Sequence, residues 1–341
     1  MFSVKHIDDP SFTDDNWQGY YTLMELLHDK YRGRFARSNW QDFKRVHLEF
    51  IRNEECFRRF TVFDNDKITG WASLRVLNKG TLQQVAYFMC DAAYDEIPEG
   101  FSRAMAAELV RIMPQHDCKS AAFMALAERI ARVGDVWGVE KLGQINRFRL
   151  YRDKANDALM EKWLQEIPAE NPDLRIEFHE AVPEEYVEQY AETFTQFLNE
   201  MPAERRRSEP YHLSPASVRR QIEFRKTVNE FQCTYLLLDQ DNRIVGHSNV
   251  AISGRDSTDA YQAMTGVIDK YRGRGLSKWL KAAIYRKIGE RFPDNRMMTS
   301  DMRAVNKPIQ AVNAQMGFVL ESRGGEYEIG LERLRRFLDE K

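Results

Sequence analysis

Long apolar runs are missing from this chain. The longest candidates, around Ser120–Leu126 and Tyr235–Leu238, are far shorter than the roughly 18 residues of a membrane helix and end in charge. The first residues, Met1-Phe2-Ser3-Val4-Lys5-His6-Ile7, show no apolar core behind a basic start, so the default expectation is a cytoplasmic protein. Cysteine is scarce: Cys56, Cys90, Cys118 and Cys233 form no C-x-x-C pair and are expected to be reduced, partly buried small hydrophobes. The 7 histidines stand singly, without H-E-x-x-H spacing, so no metal is expected. No G-x-S-x-G elbow and no phosphate loop ending in Gly-Lys-Ser/Thr occurs. An excess of one charge is also absent. Against 52 Asp+Glu stand 50 Lys+Arg, a net charge of −2, which speaks against a nucleic-acid or membrane-surface partner.

What is present is enough for a packed interior. Hydrophobic residues make up 43% and aromatics 12% of 341 residues, and that length suits a little over two domains. A linker is expected at Glu166-Ile167-Pro168-Ala169-Glu170-Asn171-Pro172-Asp173, which divides the chain into residues 1–165 and 166–341. The two parts repeat one order of elements. In the first, a helical stretch (Trp40–Glu55) precedes a hairpin turning at Asp64-Asn65-Asp66; in the second, Ser217–Glu230 precedes a hairpin turning at Asp239-Gln240-Asp241-Asn242. A further strand (Leu82–Cys90; Tyr261–Ile268), a helix (Phe101–Met113; Leu276–Arg291) and another strand (Ala121–Ala127; Met297–Met302) follow in each. An α/β (α+β) chain made of two copies of one unit is expected.

Chemistry concentrates in the second copy. Thr265-Gly266-Val267-Ile268-Asp269-Lys270-Tyr271-Arg272-Gly273-Arg274-Gly275-Leu276-Ser277-Lys278 runs from a strand through a basic glycine loop into a helix, whose apolar stripe is Leu276, Trp279, Leu280, Ala283 and Ile284. Glycines let successive N–H groups turn inward, the helix start adds partial positive charge, and Arg272 and Arg274 offer charged donors. A pyrophosphate suits such a loop. The dinucleotide fingerprint G-x-G-x-x-G is broken by Lys278. Further on, Asn306 can cap a helix with Pro308 in its first turn, a stripe of Ile309, Val312 and Met316, and a stop at Gly317.

The loop resembles the Q/R-x-x-G-x-G/A signature of the GCN5-related N-acetyltransferases (GNAT), with Lys270 in the first position. The segment from Asn306 to Gly317-Phe318 is similar to that family's later motif. The resemblance implies two tandem GNAT-like domains, each a mixed, mostly antiparallel sheet flanked by helices. It implies acetyl-CoA as co-substrate and a small-molecule primary amine as acceptor, joined by direct attack. Val267 and Ile268 would then contact the pantetheine arm, Arg272, Gly273, Arg274, Gly275, Leu276 and Ser277 the pyrophosphate, and Asn306 the arm again. Asn313 stands where the family often has a tyrosine that protonates the leaving thiol; it can hydrogen-bond the sulfur region but is no acid. Asp301 is the first candidate base, with Glu326 and His247 as alternatives. In the first copy the corresponding loop, Met89 to Gly100, is acidic and poor in glycine, which implies a degenerate copy without a cofactor site. Tyr31-Arg32-Gly33-Arg34 repeats the loop's tetrapeptide without a preceding strand and is expected to be a surface turn; Arg205-Arg206-Arg207 is expected to be a solvated loop. A monomer or homodimer is expected. A longer-chain acyl or aminoacyl transferase and a non-catalytic CoA sensor are the competing readings.

Overall fold

The computed structural model of the chain describes residues 1–31, 39–53, 57–77, 85–205, 210–254 and 256–340. Cys56, Arg206, Arg207 and the Arg32-Gly33-Arg34 turn lie outside the described residues, while Cys90, Cys118 and Cys233 are buried free thiols. Among the described residues, no helix is long and apolar enough to cross a membrane.

Two compact units form. The first takes residues 1–145, 204–210 and 322–341, the second 146–203 and 211–321. By compactness the chain therefore parts at 145/146, whereas the 165/166 point falls inside a helix. The first unit contains β1 (Phe2–His6), α1 (Asp14–Tyr31), α2 (Trp40–Asn53), β2 (Phe57–Asp64), β3 (Lys67–Leu77), β4 (Val85–Ala92), α3 (Glu99–Ile112), β5 (Ser120–Ala125) and α4 (Glu128–Trp137). Strand β6 (Glu140–Tyr151) passes into the second unit, which holds α5 (Asp157–Glu170), β7 (Arg175–His179), α6 (Val187–Glu200), α7 (Pro215–Thr227), β8 (Glu230–Leu238), β9 (Ile244–Ser253), β10 (Asp259–Val267), α8 (Leu276–Arg291), β11 (Met297–Arg303) and α9 (Lys307–Met316). Strand β12 (Val319–Gly330) leads back into the first unit, which α10 (Leu331–Asp339) completes.

The first unit's sheet runs β1-β2-β3-β4-β5-β12, and the second's β7-β8-β9-β10-β11-β6. In each, the first four strands pair antiparallel and the fourth and fifth pair parallel. Strand β12 closes the first unit antiparallel to β5, with Glu326 opposite Met124. Each unit thus takes its last strand from the other half of the chain.

Local chemistry explains the turns. The Asp239 carboxylate accepts from the N–H groups of Asp241 (3.0 Å) and Arg243 (2.9 Å), and Asn242 takes φ 62°, which joins β8 to β9. Between β2 and β3, Asn65 takes φ 53° in a two-residue turn. Helix α8 buries its expected stripe, yet Lys281, Ala282 and Tyr285 are buried as well. One side of it packs on β8–β10 and another on α5, so little of it meets water. The segment read as a linker is therefore half helix: Asn156 caps α5 by accepting from the Leu159 N–H at 3.3 Å, and the helix continues through Pro168 to Glu170.

Candidate functional site

The second unit opens a cleft where β10 and β11 part. They pair only from Asp259–Tyr261 to Met297–Thr299; β10 then bulges between Gln262 and Met264 while β11 runs on to Arg303. Past the bulge β10 stays on β9, and the Ile268 N–H donates to the Val245 carbonyl at 2.9 Å. Strand alternation then turns the main chain of Val267 away from β9, towards the cleft. The cleft, about 360 Å³, is lined by Val267 and Thr265 on one wall, Asn306, Ile309 and Val312 from α9 on another, and Phe197 and Glu200 from α6.

The glycine loop forms one end. Gly273 (φ 83°) and Gly275 (φ 75°) adopt the left-handed conformation that side chains resist. A Cβ on Gly273 would meet nothing within 4 Å, whereas one on Gly275 would lie 3.4 Å from Ile167 of α5. The helical ladder starts with Lys278 and Trp279 donating to the Gly275 carbonyl (2.8 and 3.3 Å). The five preceding N–H groups, from Gly273 to Ser277, have no acceptor among the described residues. Such a nest at a helix start suits a pyrophosphate, so the residues present fit the nucleotide end of CoA.

Both loop arginines have partners within the second unit. Arg272 donates through Nε to the Val267 carbonyl (3.0 Å) and through its two terminal nitrogens to Asp269 and Glu200 (2.8 Å each). Arg274 turns to the other side, onto Asn171 (2.7 Å) and Asp173 (2.5 Å), in a second hollow of about 460 Å³ walled by Trp163 and Ile167 of α5. In this geometry both guanidinium groups brace the loop. Gly273, Gly275, Leu276, Ser277 and Asn306 line the first cleft with Val267 and Arg272, while Ile268 and Arg274 do not. Asn306 sits at the N-cap of α9, but its side chain makes no capping bond. Ile309 and Val312, expected in the core, are half-buried because they face the cleft.

The proton-handling candidates are placed as follows. Asp301 is buried on β11, and both its oxygens accept from Arg147 of β6 (2.8 and 2.9 Å). Burial opposes the charge on Arg147, but the hydrogen bonds and charge of Asp301 outweigh it and raise the arginine's pKa. Asn313 is fully buried; its Nδ2 approaches the Met302 sulfur at 3.9 Å and its Oδ1 has no partner among the described residues. His247 lies under Tyr190, Phe194 and Phe197, with ring centroids 4.8 to 5.6 Å away. Burial pushes its pKa down to about 3, so it stays neutral and is a poor base at neutral pH. Glu326 belongs to the first unit. So does Arg205, which pairs with Glu140 at 3.0 Å. Sequence reading missed Glu200, Asn171, Asp173 and Arg147, because no local pattern ties them to the loop.

The first unit repeats the parting of β4 and β5, which pair only from Ala86–Phe88 to Ala121–Phe123. Arg129 of α4 donates to the Ala92 carbonyl at 2.6 Å and also binds the Asp91 carboxylate.

No family model and no curated protein matches the chain by sequence. Solved structures match by shape. A tandem GNAT protein from the clavulanic acid biosynthesis pathway superposes with TM-score 0.71 at 18% identity, covering 97% of this chain and 98% of its own. The chain has the tandem GNAT fold. A GCN5-related N-acetyltransferase from Sphaerobacter thermophilus gives TM-score 0.56 at 13% identity, over 97% of this chain and 96% of that one. A GCN5-related glucosamine N-acetyltransferase region within a fungal multi-domain β-N-acetylglucosaminidase gives 0.61 at 9% identity, over 96% of this chain and 38% of that one. In the GNAT fold the parted strands of the second unit, its glycine loop and α9 fall together in one cleft, and the sheet order accounts for the repeat read in the sequence.

Proposed function

We propose that the second unit is a CoA-dependent N-acyltransferase that moves an acetyl group from acetyl-CoA to the primary amine of a small molecule by direct attack. The observation that supports this best is the run of five N–H groups, Gly273 to Ser277, that have no acceptor among the described residues, at the end of a cleft between parted strands. Bound there, acetyl-CoA supplies the activated acyl group. Those N–H groups hold the pyrophosphate, and Arg272 and Arg274 add positive potential while bracing the loop. Val267 offers its outward main-chain N–H to the arm while its carbonyl accepts from Arg272, and Ile268 fixes the strand through its bond to Val245. Asn306, whose side chain makes no capping bond, stands at the cleft wall.

Asp301 would have to release Arg147 before accepting a proton, so its proposed part is to hold that guanidinium. Asn313 contributes a hydrogen bond and no proton. The two observations together favour one second reading, a CoA-binding protein without turnover. We read the first unit as free of cofactor because Arg129 occupies the place of an arm. The protein is read as cytoplasmic, a monomer or homodimer, with no nucleic-acid or membrane partner and no metal.

Mixing the protein with acetyl-CoA and a panel of small amines, and following free thiol, tests the reading. Amine-dependent thiol release, lowered at least tenfold by Arg272→Ala with Arg274→Ala, is expected. Saturable acetyl-CoA binding without thiol release on any amine selects the second reading. Longer acyl-CoA donors in the same assay test the acyl length.

A further inference from the structure

Beneath the cleft lies a buried polar chain that the proposed reaction does not use. Lys281 of α8, Gln262 at the β10 bulge and Ser248 of β9 are at most 3% exposed, in a region otherwise packed with Leu280, Ile284 and Phe318. Apolar residues would fill this space at lower cost, so the polar set calls for a reason.

Hydrogen-bond accounting gives the chain a direction. Lys281 Nζ donates to Gln262 Oε1. An ammonium can only donate, so the amide oxygen faces Lys281 and the NH₂ faces Ser248 and Thr265. That NH₂ donates to Ser248 Oγ (3.2 Å) and to Thr265 Oγ1 (3.1 Å). The two hydroxyl oxygens stand 2.8 Å apart, so one donates to the other. Were Thr265 the donor, the fully buried Ser248 would keep an O–H with no acceptor, which is costly. Ser248 therefore donates to Thr265. The Thr265 hydrogen is left over, and Thr265 is half-buried and lines the cleft.

We propose that Thr265 presents a directed hydroxyl donor to a carbonyl oxygen of the CoA arm, and that Ser248, Gln262 and Lys281 set its direction from inside the core. Thr265 touches the ligand; the other three are positioning residues. The inference rests on the cofactor reading above. Lys281 supports it: with no counter-ion among the described residues, its pKa is pushed by burial down to about 7, a burden that packing alone does not require.

Two measurements on the full chain test the proposal. In calorimetry with CoA, Thr265→Val weakens binding about tenfold, the worth of one hydrogen bond, and Thr265→Ser stays within twofold of the wild type. With glutamine labelled by ¹⁵N, the Gln262 amide pair (assigned by its loss in Gln262→Met) shifts on CoA addition in the wild type and Thr265→Ser. In Thr265→Val it stays put, although Gln262 itself lies under Thr265. Lys281→Met removes the shift as well. Wild-type binding matched within twofold by Thr265→Val overturns the inference and leaves the cofactor reading standing. A wild-type protein that binds no CoA overturns both.

Discussion

One largely buried ion pair stands out among the side chains. Arg147 and Asp301 form a bidentate pair inside the second unit, and removing one partner strands the other. Asp301→Asn should cost about 3–5 kcal/mol of stability, read by denaturant unfolding. A variant that unfolds like the wild type but loses activity would instead make Asp301 the base. Lys281 gives a pH signature. Its pKa falls on folding from 10.5 to about 7, so between those values the unfolded chain holds a proton that the folded chain lacks. Stability then rises with pH across that window, by up to about 1.4 kcal/mol per unit from this group, and the contribution ends above the unfolded value. Lys281→Met should flatten that slope between pH 7 and 10; equal slopes in both proteins would place the lysine in a wetter setting. The glycine loop and the Asn306–Phe318 segment were legible because they are local patterns. Residues such as Glu200 and Asn171 were not, since only the fold brings them to Arg272 and Arg274.

Elements set the width of the cleft. Helix α6 lies so close to β10 that a Cβ on Gly266 would come within 2.2 Å of the Phe197 ring. Gly266→Ala must push α6 outward, at a cost of about 1–3 kcal/mol, and should weaken acetyl-CoA binding because Phe197 lines the same cleft. Unchanged melting and binding would mean that α6 yields freely. The hairpin turns and α8 could be read from Asp-x-Asp and from helical spacing. Helix α5 is legible as far as Gln165; beyond it two prolines suggest a linker, yet Pro168 sits in its last turn and Ile167 packs on Gly275. On α9, apolar spacing showed a stripe but not that Ile309 and Val312 face a cleft, because a ligand wall and a core share one hydrophobic pattern.

For the whole molecule, duplication was visible as a repeated order of elements, while the exchange of closing strands was not. Strand pairing over long sequence separations leaves no local mark, and β12 reads as an ordinary final strand of its own half. The exchange makes a prediction. Residues 1–165 alone lack β12 and leave the edge of β5 unpaired, so this fragment should fail to give a cooperative unfolding transition, or should aggregate. Adding residues 318–341 as a separate peptide should restore it. A fragment that folds alone would show that β12 is dispensable to the first unit. The two copies of one fold are unequal: the second carries a nest of N–H groups, while in the first Arg129 binds the end of β4. Calorimetric titration of the full chain with acetyl-CoA tests it most directly. One site per chain is predicted, weakened at least tenfold by Arg272→Ala with Arg274→Ala and unaffected by Arg129→Lys. Two sites per chain, no saturable binding, or an affinity indifferent to the loop substitutions would contradict it.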